Sequence, residues 1–144
     1  MYSLLVFVHV ISAFFLGSYL ALPFVFQKLP SKSGHPLKAS LKIILIYTRL
    51  GHFALVFLTI TGGWMVMAYS TQPSILWIVL AFVLLVLIGG LIGMMNKEMK
   101  SIIHTESSEK KLVDNMLKLK WYGWMTFTLI VLAAFIMINR NLFS

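Results

Sequence analysis

The chain has no cysteine, and only four of its 144 residues are acidic. Without cysteine there can be no disulfide, no thiolate nucleophile, no iron–sulfur cluster and no thiolate zinc site. Charge of either sign is scarce: 11% of residues are Asp, Glu, Lys or Arg, against roughly a quarter in soluble domains. What fills the chain instead is apolar, at 60% of residues with a mean hydropathy of +0.92. A chain of this size buries only about two-thirds of its surface on folding, too little to hide so much apolar area from water. A soluble globular enzyme is therefore excluded, and so is intrinsic disorder, which needs low hydrophobicity.

The formal net charge of +8 is not spread as a nucleic-acid groove would require. All four acids (Glu98, Glu106, Glu109 and Asp114) and most lysines fall in two short polar segments between long apolar runs. That is the pattern of a membrane protein, and no nucleic-acid partner is expected.

Four runs are long enough to cross a hydrocarbon core of about 30 Å, which takes about 20 helical residues. They cover residues 2–26, 43–68, 74–95 and 121–139. Each is continuously apolar without period-two alternation, which favours helices over strands. The first run has no basic residue before it and no small-residue cleavage site after it, so we expect it to be retained rather than removed as a signal peptide. Lys28, Lys32, Lys38 and Lys42 occupy the first connection, 27–42. The third, 96–120, carries Lys97, Lys100, Lys110, Lys111, Lys118 and Lys120, while the second, Tyr69 to Pro73, has no basic residue. Positive residues stay on the cytoplasmic side. The reading is thus an all-α, integral membrane four-helix up-down bundle in a bacterial-type plasma membrane, both termini outside. Tyr2, Trp64, Tyr69 and Trp77 would mark the outer interface, and Tyr47, Trp121, Tyr122 and Trp124 the inner one.

Small residues predict close helix contacts: Ala13, Gly17 and Ala21 in the first span, Gly89 and Gly93 in the third. Gln72-Pro73 suits an outer turn with the proline opening the third helix. In the last connection, Ser108 is placed to cap an amphipathic helix with Leu112, Val113, Met116 and Leu117 on one face. Such a helix would be an amphipathic lead-in to the fourth span, lying on an anionic inner leaflet, or would dock a partner protein.

The spans contain no Asp, Glu or Lys, so the carboxylate machinery of ion-coupled carriers and of a Ser–His–Asp triad is missing. His9, Arg49 and His52 remain. His9 lies about 10 Å below the outer end of its helix, on a face with Ser12, Ala13, Leu16 and Gly17. A neutral imidazole there can ligate haem iron or copper, shuttle a proton, or simply be satisfied by a neighbouring hydroxyl or carbonyl. Arg49, His52, Val56, Thr59 and Gly63 share a face of the second helix. Arg49 can reach lipid phosphates or anchor an anion such as a propionate. His9 and His52 would sit about 6–13 Å apart in depth, so a shared haem needs the low end of that range. Met65, Met67 and Met137, near the outer ends, offer soft donors for copper with His9, or serve as gap fillers. His35 and His104 have no partners at ligand spacing and read as solvated.

His9-Val10-Ile11-Ser12-Ala13-Phe14-Phe15-Leu16-Gly17 resembles the opening of the CopD-like membrane superfamily. Arg49, followed by an apolar run ending in Thr61-Gly62-Gly63-Trp64, is similar to that group's second helix. The group includes copper-resistance membrane proteins, membrane protoporphyrinogen oxidases and small uncharacterised membrane proteins. The resemblance covers the first two helices. It implies a haem- or metal-associated role for His9 and an anchoring role for Arg49. The oxidase branch carries a lysine in its third helix, and residues 74–95 have none. The resulting expectation is a small membrane protein that binds or handles haem (haem b), a porphyrin or a metal, copper included, through His9, alone or with His52. The alternatives are a membrane oxidoreductase of the protoporphyrinogen-oxidase type and a cofactor-free accessory subunit, which would have a membrane-complex partner or form a homo-oligomer.

Overall fold

The computed structural model describes residues 1–31, 34–68, 73–104 and 109–143, with 109–112 described by backbone alone. Lys32, Tyr69, Gln72 and Ser108, and the side chains of Lys110, Lys111 and Leu112, which entered the expectations above, lie outside the described residues. Helix α1 (Tyr2–Gly17) leads through a 3-10 turn (Ser18–Ala21) into α2 (Leu22–Lys28), and a second 3-10 turn covers Leu29–Ser31. Three long helices follow: α3 (His35–Ala68), α4 (Ile75–His104) and α5 (Glu109–Ile138), with a final turn at Arg140–Phe143. There is no strand among the described residues. Four segments are long and apolar enough to cross a membrane: Tyr2–Ser31, His35–Ala68, Ile75–His104 and Val113–Ile138. The protein is an all-α integral membrane four-helix bundle.

The helices run well past the apolar runs. Segment 27–42 is mostly helical, and α4 and α5 extend far into 96–120. Lys, Glu, Leu and Met are good helix formers, so polarity marks where hydrocarbon stops and not where the helix does. The buried seam continues unchanged across that boundary. On α3 it runs through Leu37, Leu41, Ile44, Thr48, Gly51, Leu55 and Leu58 in alternating steps of four and three, as a left-handed bundle requires, with Ala54 and Thr61 also buried. Met95, Met99 and Ile102 on α4 meet this core from one side, with Met116 and Leu119 of α5. Residues 109–120 are therefore the opening turns of α5 itself, so the lead-in is continuous with the fourth span. Their expected shared face is split, since Met116 is buried while Val113 and Leu117 are exposed.

The first span is broken where the sequence suggested a continuous helix. Pro23 has no amide hydrogen, and in an α-helix its ring would collide with the carbonyl of Tyr19, four residues back. The Leu22 amide takes that carbonyl instead, tightening Ser18–Ala21 into a 3-10 turn. The break lets the span change neighbours: α1 packs on α3, whereas α2 packs on α5, and α3–α4 and α4–α5 complete the bundle.

Close contacts fall at glycines other than those expected. Ala13, Ala21 and Gly93 are exposed, and a Cβ on Gly17 or Gly93 would meet nothing within 4 Å. Gly89 does face a neighbour, Leu55 Cδ1, at an ordinary 3.5 Å. The tight positions are Gly51, against the ring of Tyr19, and Gly123, where a Cβ would lie 2.9 Å from Phe26 Cδ2. Pro73 precedes α4, and it is Ser74 Oγ that accepts from the Trp77 amide at 3.3 Å, as an N-cap should. The Trp77 indole N–H donates to the Ile136 carbonyl at 3.0 Å and fixes α4 against α5.

Candidate functional site

His9 projects from α1 onto α3, where Nδ1 lies 2.8 Å from Thr61 Oγ1. The Thr61 hydroxyl has one hydrogen, and the nearest acceptor for it is the Phe57 carbonyl at 2.6 Å. With its hydrogen given to Phe57, the hydroxyl accepts from His9 in the Nδ1–H tautomer. The ring lies over Gly62, where a Cβ would come within 3.3 Å of Cε1, so the missing side chain gives the imidazole its seat. In that tautomer Nε2 keeps its lone pair, and no hydrogen bond to a described residue takes it. A ligating histidine is normally held this way, its second nitrogen committed to an outer hydrogen bond that sets tautomer and orientation. Ser12 and Leu16, from the expected His9 face, are buried beside it, while Ala13 is exposed.

The other candidates are not gathered around His9. His52 is half-buried and its Nδ1 faces the Thr48 carbonyl of its own helix at 3.4 Å. Because His9 stands level with Thr61, nine residues along α3, the two histidines differ by about 13 Å in depth. That is the unfavourable end of the expected range, and their rings do not share a level. Arg49 and Val56 are exposed, Thr59 is half-buried, and Gly63 is exposed, so the stripe through His52 runs along a flank of α3. Met65 is half-buried, one turn beyond Thr61, and Met67 is almost fully exposed. His35 and His104 are exposed. No group of three His, Asp or Glu side chains converges among the described residues. What α1 and α3 bring to one level is the His9 imidazole and the Thr61 hydroxyl, with the Met65 thioether one turn further along α3. That donor set suits haem iron with one protein ligand, or a soft cation such as Cu(I).

A second polar constellation was not anticipated. The Tyr19 hydroxyl, on a fully buried ring, donates to the Tyr47 carbonyl at 2.8 Å. Ser18 bonds the Tyr47 hydroxyl, and Phe15, Tyr19 and Tyr47 form an aromatic triangle with centroids 4.9–6.0 Å apart. Beside it the buried Thr48 hydroxyl is shared between the Ile44 carbonyl and the Asn96 side chain on α4. The available signal was a run of polar residues, Ser18-Tyr19, Tyr47-Thr48 and Asn96, at the margins of apolar segments. Next to the break, Ala13, Phe14, Gly17 and Ser18 line an open depression of about 430 Å³ on the outer surface of α1.

The chain belongs to the predicted integral membrane protein family DUF2269, which its residues 3–141 match. No curated protein and no solved structure matches it.

Proposed function

We propose that this member of the family is a ligand-binding membrane protein that holds haem, or a related porphyrin or soft metal ion, through Nε2 of His9. One observation carries the reading: Nδ1 of His9 is committed to the Thr61 hydroxyl, which leaves Nε2 as a preset donor inside the apolar span. A histidine needed only for packing has no reason to keep a lone pair unsatisfied in hydrocarbon, where such groups cost free energy. When bound, haem would supply an iron centre whose properties depend on its axial ligand and the surrounding polarity. Thr61 would orient that ligand, Gly62 would seat its ring, and Met65, one turn beyond Thr61 on α3, would be the soft group offered to a metal. The likeness of the first two helices to the CopD-like group agrees with this role for His9.

We also infer that the lysine-rich end faces the cytoplasm of a bacterial plasma membrane, leaving both termini and His9 toward the outer side. This rests on the lysine distribution.

The test is the visible absorption spectrum of the full chain purified in mild detergent, oxidised and dithionite-reduced, with metal analysis. Wild type should show a Soret band that sharpens on reduction, or a stoichiometric metal. His9→Ala should lose it, and Thr61→Val should retain it with a shifted maximum. A colourless, metal-free wild type that also takes up no added haem or Cu(I) would overturn the proposal and favour an accessory subunit.

A further inference from the structure

Two side-chain contacts fix the relative heights of the long helices. Thr48 on α3 bonds Asn96 on α4, and Trp77 on α4 bonds the carbonyl of Ile136 on α5. Counting 20 residues along each antiparallel helix from that second contact sets Lys97 level with Met116. Arg49, Lys97 and Lys118 therefore lie within about one turn, or 5 Å, of a common plane, one on each long helix. From that plane to the far ends of the helices is about 30 Å, the thickness of a hydrocarbon core. All three side chains are exposed, and none forms an ion pair with a described residue. Glu98 and Asp114, the carboxylates described at this end, leave them uncompensated.

An uncompensated cation at the edge of hydrocarbon draws its counter-charge from the adjoining headgroups. We propose that Arg49, Lys97 and Lys118 form a collar that binds the phosphate-bearing headgroups of anionic phospholipids. Arg49 sits in apolar surroundings, between the exposed Ile46 and Leu50. Its planar fork suits a phosphate bidentately, and the two lysines act as point charges.

The test uses the full chain in nanodiscs of phosphatidylcholine alone or with phosphatidylglycerol. The readouts are the thermal midpoint and the lipid retained after re-extraction, quantified by mass spectrometry. Wild type should melt higher in the mixed lipid and retain phosphatidylglycerol preferentially. Each cation is worth about fivefold in partitioning. Arg49→Gln, Lys97→Gln and Lys118→Gln should each lower the preference, and the triple variant should abolish it. Lys97→Arg with Lys118→Arg should preserve it, and high salt should weaken it. A wild type indifferent to phosphatidylglycerol, or a triple Gln variant with undiminished preference, overturns the proposal. If the triple variant does not fold, the three single variants decide. Stabilisation by inorganic phosphate equal to that by phosphatidylglycerol overturns the lipid assignment in favour of a free anion. None of these outcomes depends on His9.

Discussion

Gly51→Ala should be among the most damaging single-methyl additions in this protein. The side chain of Tyr19 fills the space where a Cβ would stand, with Oη, Cζ and Cε2 all inside contact distance. Tyr19 is fully buried, so its ring cannot swing into open volume and must leave its slot or push α1 away from α3. Leaving forfeits the hydrogen bond to the Tyr47 carbonyl, about 1 kcal/mol. It also separates the ring from Tyr47, whose centroid lies at 4.9 Å, for about 0.5–1.5 kcal/mol. Overpacking adds about 1–3 kcal/mol. Lipid offers no hydrophobic refuge that would offset these losses, because helix association in membranes rests on packing and hydrogen bonds. The total is about 3–5 kcal/mol, measurable by reversible unfolding in mixed detergent micelles.

The same reasoning orders the other glycines. Gly123→Ala would put its Cβ 2.9 Å from the fully buried Phe26 ring and 3.4 Å from the Pro23 backbone, a milder overlap than at Gly51 that should cost about 1–3 kcal/mol. Gly17→Ala and Gly93→Ala meet nothing and should be neutral or stabilising by up to about 1 kcal/mol, through reduced unfolded-state entropy. A double variant supplies the control: once Tyr19→Ala has emptied the slot, adding Gly51→Ala should cost almost nothing more. A Gly51→Ala protein as stable as wild type, or strict additivity in that cycle, would refute the argument.

Three further outcomes follow from named contacts. Thr61→Val removes the acceptor of His9 Nδ1–H, so the nitrogen-15 spectrum of the His9 ring should move from the Nδ1–H form toward the other tautomer. An unchanged spectrum would show that Thr61 does not set it. Asn96→Ala breaks the bond to Thr48 and should destabilise by about 0.6–1.7 kcal/mol, the range for intramembrane side-chain hydrogen bonds, with Thr48→Val on top of it adding little. Trp77→Phe keeps an aromatic ring, though a smaller one, and loses the donor to Ile136. It should cost about 1 kcal/mol and speed amide exchange near the ends of α4 and α5 that meet there.

Much of this fold is legible in apolar run length, because hydrocarbon thickness imposes one number on every span. Helix length beyond the membrane is not legible that way, since residues such as Lys42 and Lys100 are compatible with helix whether or not lipid surrounds them. Packing faces were harder still. In water, a small residue and a charged one define opposite faces, but in lipid both faces of α1 are apolar, and Ala13, Gly17 and Ala21 carry no label for inside or outside. The residues that do lie inside, Ser12, Leu16 and Tyr19, differ from their neighbours mainly in the bonds and shape they offer a specific partner. The level of His9 could be counted from the helix end, but its tautomer depended on Thr61, fifty-two residues away.

Pro23 links these points. Had the first span continued as one α-helix, α1 and α2 would share an axis, and a face that packs on α3 at His9 would have to serve α5 at Phe26 as well. The 3-10 turn removes that constraint. It lets Tyr19 enter the Gly51 slot and Phe26 enter the Gly123 slot, two separate anchors on different helices. Above the break, α1 is held chiefly by α3, through the Tyr19 and Thr61 bonds. The geometry at His9 is therefore set by one seam rather than by the whole bundle. A perturbation of α5 should leave the His9–Thr61 pair intact, while one at Gly51, ten residues along that seam, should reach it.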